Sequence, residues 1–124
     1  MTLITGGAYQ GKTDYAAEIR PGASFFDCSD KEPFIDFSAD VVNRLHLAIL
    51  AMARAGEDPL AYLEERLPDM AEKIVICDDI SCGVVPIDAA ERKWREDTGR
   101  CLAMLSKKAD GVVRLFCGIA TVLK

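Results

Sequence analysis

Apolar positions along the chain change their spacing several times, and each change marks an element. Leu3 and Ile4 sit between Thr2 and Thr5 in a short run that ends in glycines, which predicts a first strand. Lys12 to about Ile19 follows as a helix, stopped by Arg20-Pro21-Gly22, and Ala23-Ser24-Phe25-Phe26-Asp27 as a short second strand. Pro33-Phe34-Ile35-Asp36-Phe37, an apolar run carrying one acid, predicts a third strand, with Ser38 or Asp40 placed to cap a helix beside it. In that helix Val41, Val42, Leu45, Leu47, Ala48, Ile49, Met52 and Ala53 keep one apolar face until Gly56 ends it.

Asp58-Pro59 restarts a helix in which Leu60, Leu63, Leu67 and Met70 recur at helical spacing, with Pro68 making its end irregular. Lys73-Ile74-Val75-Ile76-Cys77-Asp78-Asp79 is continuous enough in apolar character to be a buried strand, and it ends in two acids. The loop Ile80-Ser81-Cys82-Gly83-Val84-Val85-Pro86 leads into a long helix. There Asp88 and Glu91 stand as a capping box, and Trp94, Cys101, Leu102 and Leu105 are candidate core contacts. Gly99 inside that helix costs about 1 kcal/mol relative to alanine, which implies another demand on the position. Gly111 to Cys117 and Ile119 to Leu123, split by Gly118, form two final strands with a tight reversal. Strands alternating with helices predict a mostly parallel α/β sheet closed by one antiparallel edge strand at the C-terminal end.

Composition narrows the function. With 124 residues, half of them hydrophobic, the chain is expected to form one domain, residues 1–124. Fifteen basic residues stand against 20 acidic ones, net −5, and the basic ones are scattered, which argues against a nucleic-acid or anionic-membrane surface. No apolar run approaches the roughly 18 residues a membrane span needs, and no leader pattern opens the chain, so a soluble cytoplasmic protein is expected. Five cysteines without a C-x-x-C pair read as reduced and mostly structural. A metal site of Cys77, Cys82 and His46 is the sharper alternative, with a spacing that fits no familiar zinc pattern.

The chemistry concentrates where the first strand meets the first helix. Thr5-Gly6-Gly7-Ala8-Tyr9-Gln10-Gly11-Lys12-Thr13 contains Gly-x-x-x-x-Gly-Lys-Thr, a phosphate-binding loop in the strand-to-helix context its mechanism requires. The glycines let successive backbone N–H groups approach a polyphosphate at the positive end of the helix. Gly6, Gly7, Ala8, Tyr9, Gln10, Gly11, Lys12 and Thr13 are thus the candidate nucleotide-binding residues. Lys12 would reach the β- and γ-phosphates and Thr13 a Mg²⁺ ion carried with ATP or GTP. Phosphoryl transfer also needs an acid. Asp36, Asp78 and Asp79, each expected at the C-terminal end of a parallel strand, are the candidates. Arg92 and Arg95 on the long helix are possible phosphate contacts. His46, between Leu45 and Leu47, reads as a structural histidine.

The glycine loop and the C-terminal block together resemble the adenosylcobinamide kinase / adenosylcobinamide-phosphate guanylyltransferase family. The family opens on T-G-G-A-x-x-G-K-[ST]. Later come a strand, an acid, G-x-V-P and R-x-[FW]-R-[DE]-x-x-G-R, matched here by Asp79, Gly83-Val84-Val85-Pro86 and Arg92-Lys93-Trp94-Arg95-Glu96-Asp97-Thr98-Gly99-Arg100. Ala109-Asp110-Gly111-Val112 and Gly118-Ile119 are similar to the family's closing segments, and Phe34-Ile35-Asp36-Phe37-Ser38 more weakly to its strand ending in D-C-L-T.

The resemblance implies a RecA-like P-loop NTPase fold, a three-layer sandwich, and a homo-oligomer. It also implies a kinase of cobalamin synthesis that phosphorylates a hydroxyl of adenosylcobinamide or a related amino-alcohol. In that enzyme Lys12, Asp36 and Asp79 are the catalytic residues, and Thr13 with Asp36 or Asp79 holds the metal. The chain departs from the pattern in three places. The family's histidine that takes GMP lies in a segment replaced here by the short connector Asp27 to Pro33, so guanylyl transfer is expected to be lost. The family's T-N-E-V-G is Cys77-Asp78-Asp79-Ile80-Ser81, and the Asn-Gln usual after G-R-x is Leu102-Ala103. The alternative is a non-catalytic paralogue, a nucleotide-binding partner subunit or sensor.

Overall fold

The β-rich segments gather into one six-stranded sheet in a computed structural model that describes residues 1–80 and 88–124. The strands are β1 (Thr2–Gly6), β2 (Phe25–Asp27), β3 (Val41–Asn43), β4 (Ile74–Asp78), β5 (Gly111–Phe116) and β6 (Ile119–Val122). Their order across the sheet is β2-β3-β4-β1-β5-β6, so the strand carrying the glycine loop is flanked by β4 and β5. All neighbours pair in parallel except β5 and β6, whose antiparallel register sets Phe116 opposite Ile119. The helices are α1 (Lys12–Ile19), α2 (Leu45–Arg54), α3 (Pro59–Glu65) and α4 (Ala89–Lys108).

Alternation along the strands makes three layers. Leu3, Val42, Val75, Cys77 and Val112 point into the larger core, where they meet Leu45, Ile49 and Met52 of α2, Leu63 of α3 and Cys101 and Leu105 of α4. Ile4, Val41, Ile74, Ile76, Val113 and Leu115 point to the other face, against Ala16 of α1. Asp58 caps α3 by accepting from the amides of Leu60 and Ala61, and the turn of 3-10 helix Leu67–Met70 accommodates Pro68. Asp88 caps α4 by accepting from the Ala90 amide. A Cβ on Gly99 would meet nothing within 4 Å among the described residues, and no packing reason for that glycine emerges. No helix among the described residues is long and apolar enough to cross a membrane.

One stretch departs from the sequence reading. Pro33 to Phe37 is not a strand, and the helix does not start at Ser38 or Asp40. The third strand is Val41–Asn43, and α2 begins at Leu45 after Arg44, which adopts φ 57°. Side-chain hydrogen bonds explain the shift. Asp36 turns the chain by accepting from the Ser38 amide at 2.9 Å and the Ser38 hydroxyl at 2.6 Å. The Asp40 carboxylate accepts from the Ser24 amide at 3.0 Å while its carbonyl accepts from Ile74 N–H at 3.0 Å, which draws Val41 and Val42 between β2 and β4. Two β-branched residues in succession favour that strand.

Candidate functional site

The central strand β1 ends at Gly6, where φ is 143° and a Cβ would lie 2.4 Å from the Leu115 carbonyl oxygen. Only glycine lets β1 and β5 stay this close at the point where the loop departs. The loop then turns through Tyr9, at φ 58° and fully exposed, and Gly11, at φ 93°, before entering α1. Gly11 offers α1 no side-chain cap, so no N-cap side chain occupies the first amides of the helix.

Lys12 is 6% exposed although it opens a helix. Its Nζ donates to the Gly7 carbonyl and stands 2.8 Å from Asp78 Oδ1. Asp78, the last residue of β4, also engages His46: its amide donates to His46 Nδ1 at 3.1 Å, and Oδ2 lies 3.5 Å from Nε2. An Nδ1 that accepts leaves the proton on Nε2, facing the carboxylate. Burial pushes the His46 pKa down; the Asp78 charge opposes this, and Lys12 and Arg44 add to the lowering. The imidazole is therefore held neutral. The His46 carbonyl accepts from Trp94 Nε1 at 2.8 Å, which ties α2 to α4 behind the site.

Asn43 completes this end of the sheet. Its Nδ2 donates to Asp27 Oδ1 at 2.7 Å and its Oδ1 accepts from the Arg44 amide at 3.0 Å, a local bond that supports the left-handed turn into α2. These groups enclose an open cleft of about 530 Å³ above the loop.

The structure brings Ala8, Tyr9, Gln10, Gly11, Lys12 and Thr13 to this cleft, while Gly6 and Gly7 precede the lining stretch without lining it. Of the three acids, Asp78 lines it. Asp79 lies next to it, its amide donating to the Gly6 carbonyl at 2.8 Å, without lining the cleft. Asp36 does not end a strand. It sits within the field of Lys73, which precedes β4, at the end of the sheet away from the loop, and its pKa is lowered first by the Ser38 hydrogen bonds. Arg92 is exposed and Arg95 half-buried on α4, and neither lines the cleft. Gly83-Val84-Val85-Pro86 lies outside the described residues. Cys28, Cys77 and Cys101 are buried free thiols, while Cys117 is exposed. Among the described residues no three His, Cys, Asp or Glu side chains are grouped to hold a metal; Cys82 of the alternative site lies outside them.

Sequence reasoning missed Asn43 and Arg44, and read His46 as structural without placing it at the cleft, because it set the strand before them too early. The Val41-Val42 pair was the available signal. With β3 in its observed place, Asn43-Arg44-Leu45-His46 rather than Asp36-Phe37-Ser38 occupies the strand end that the resemblance gives to D-C-L-T. An amide then stands where that motif has its acid. On the neighbouring strand, Asp78 supplies a carboxylate where T-N-E-V-G has its asparagine.

A glycine loop with a buried lysine, set between the central strand of a parallel sheet and a helix, is the architecture of a RecA-like P-loop NTPase, a three-layer sandwich with an antiparallel edge strand. The model of a protein family described as cobinamide kinase / cobinamide phosphate guanyltransferase, which acts in cobalamin synthesis, matches residues 35–123. The matched stretch starts after the glycine loop and contains β3, β4, α4 and the β5–β6 hairpin. No curated protein matches the chain. With most of its length matched, the chain belongs to the cobinamide kinase / cobinamide phosphate guanyltransferase family.

Proposed function

We propose that this chain is a single nucleotide-binding domain that transfers the γ-phosphoryl group of ATP or GTP to a hydroxyl of adenosylcobinamide or a related amino-alcohol. The observation that carries the reading is the Lys12–Asp78 pair, 2.8 Å apart at the mouth of a glycine loop. An entering triphosphate competes for Lys12, which releases the Asp78 carboxylate into the cleft that Thr13 also lines. A hydroxyl and a carboxylate are the hard oxygen donors that Mg²⁺ takes, so Thr13 and Asp78 would hold the ion. Held there, Mg²⁺ would supply charge neutralisation to the phosphates. The loop amides and Lys12 orient the polyphosphate, and Asp78 replaces Asp36 and Asp79 as the acid of the site.

Guanylyl transfer drops out of this reading. His46 is the one histidine of the chain, and both of its ring nitrogens face Asp78 in a buried setting, which removes the free imidazole that attack on a nucleotide phosphate requires. A cytoplasmic location and a homo-oligomer belong to the same proposal. The exposed Phe116, Ile119, Val122 and Leu123 on the C-terminal hairpin offer apolar surface for assembly. The second reading, a non-catalytic partner subunit or sensor, draws on Asn43, an amide at the strand end where the resemblance has an acid.

Calorimetric titration with ATP and with GTP in Mg²⁺, alongside Lys12→Ala, tests the site. Micromolar binding that weakens at least about tenfold in the variant is the expected result, since a charge-assisted contact to phosphate is worth about 1.5–3 kcal/mol. No binding by the folded protein would overturn it. Binding without phosphorylation of adenosylcobinamide would select the sensor reading.

A further inference from the structure

The β5–β6 hairpin and the glycine loop meet through one residue. Cys117 at φ 50° and Gly118 at φ 77° are the two left-handed residues of the reversal between Phe116 and Ile119. A two-residue turn of this kind leaves both central amides unpaired within the hairpin. Here Gln10 takes both: its Oε1 accepts from the Cys117 amide, and its carbonyl accepts from Gly118 N–H at 3.1 Å. The contact continues at Gly11, where a Cβ would come within 3.5 Å of Gly118 Cα. Gln10 borders the cleft, yet its carboxamide oxygen is engaged by the hairpin and not directed to a ligand.

The loop needs such a partner. Holding Tyr9 and Gly11 at positive φ is an ordering cost that a free loop would meet on binding its ligand. Hydrogen bonds to a sheet-anchored turn fix that geometry beforehand and so strengthen binding. We propose that Gln10 is a positioning residue that locks the glycine loop to the β5–β6 turn, so that the phosphate-binding shape of the loop and the conformation of the hairpin are coupled. The inference rests on reading the loop as a phosphate site. The coupling is reciprocal: a ligand on the loop tightens the turn, and loosening the turn weakens the ligand.

Amide hydrogen exchange at Cys117 and Gly118 tests the lock in wild type, Gln10→Leu and Gln10→Glu, each with and without MgATP or MgGTP. Without nucleotide, Gln10→Leu is expected to speed exchange at Cys117 about tenfold, the loss of one hydrogen bond, and Gln10→Glu, which keeps an acceptor at the same reach, restores protection. Unchanged exchange in Gln10→Leu would overturn the lock whatever nucleotide does. With nucleotide, wild type is expected to gain protection at both amides, and Gln10→Leu to bind about tenfold more weakly. Equal affinity in the two proteins would overturn the coupling. Failure of wild type to bind any nucleotide would overturn the reading of the site, and with it the coupling.

Discussion

Asp78 serves two neighbours at once, a lysine on its Oδ1 side and a histidine on its Oδ2 side. The histidine accepts the backbone amide of the same aspartate, so its protonation breaks a bond that only the neutral ring can make. Burial lowers the folded pKa of His46 below its ordinary 6.5. The unfolded chain therefore binds a proton that the folded chain refuses. The stabilisation is full above about pH 6.5 and is lost as pH falls from there through the lowered folded value. Denaturant unfolding at about pH 7.5 and about pH 5.5 should show the drop, and His46→Asn should flatten it. The carboxylates with lowered pKa, Asp36, Asp40 and Asp110, lose their stabilisation only below their ordinary 3.8, so they do not confuse the window. The glycines, Lys12 and Thr13 could be placed together from the sequence because the glycine loop is written in consecutive residues. Which of two adjacent acids lines the cleft was not legible there, because the choice depends on where β4 ends, and it ends at Asp78.

Among the elements, β1 and β5 meet so closely at Gly6 that the junction tolerates no side chain. Gly6→Ala combines a disfavoured backbone conformation with a contact against a backbone carbonyl, each worth about 1–3 kcal/mol. A loss of roughly 2–4 kcal/mol in chemical denaturation is expected. A near-neutral result would mean that β1 and β5 can separate there. Most elements could be read from their apolar spacing: α1, α4, the strand from Ile74 and the antiparallel hairpin around Gly118 all stand where the pattern placed them. The failure at Val41 to Asn43 has a definite cause. An apolar run from Val41 to Met52 satisfies helical spacing throughout, and only tertiary pairing with Phe25, Phe26, Ile74 and Val75 converts its first residues into a strand.

Across the whole molecule the two faces of the sheet are unequally covered. Among the described residues three helices pack on one face and the eight-residue α1 on the other, while Phe116 and Ile119 stay exposed at the far edge. Stability should follow that asymmetry. Leu63→Ala, at a side chain with no exposure between α2 and α4, should cost about 2–5 kcal/mol by denaturant titration. Phe116→Ala, at 65% exposure, should change it by no more than about 0.5 kcal/mol. A large loss in the second variant would show that the hairpin side chain is covered in solution.

Trp94 gives this architecture a readout of its own. It is the single tryptophan of the chain, its indole N–H is held by the His46 carbonyl, and its ring centre lies 6.4 Å from the imidazole that contacts Asp78. A protonated imidazole quenches indole emission by drawing electron density from the excited ring, whereas a neutral one does so far less. Intrinsic fluorescence of the unlabelled protein therefore reports the charge state of the group next to the cleft. A ligand that draws Lys12 away from Asp78 changes the field at that imidazole and enters the same optical signal.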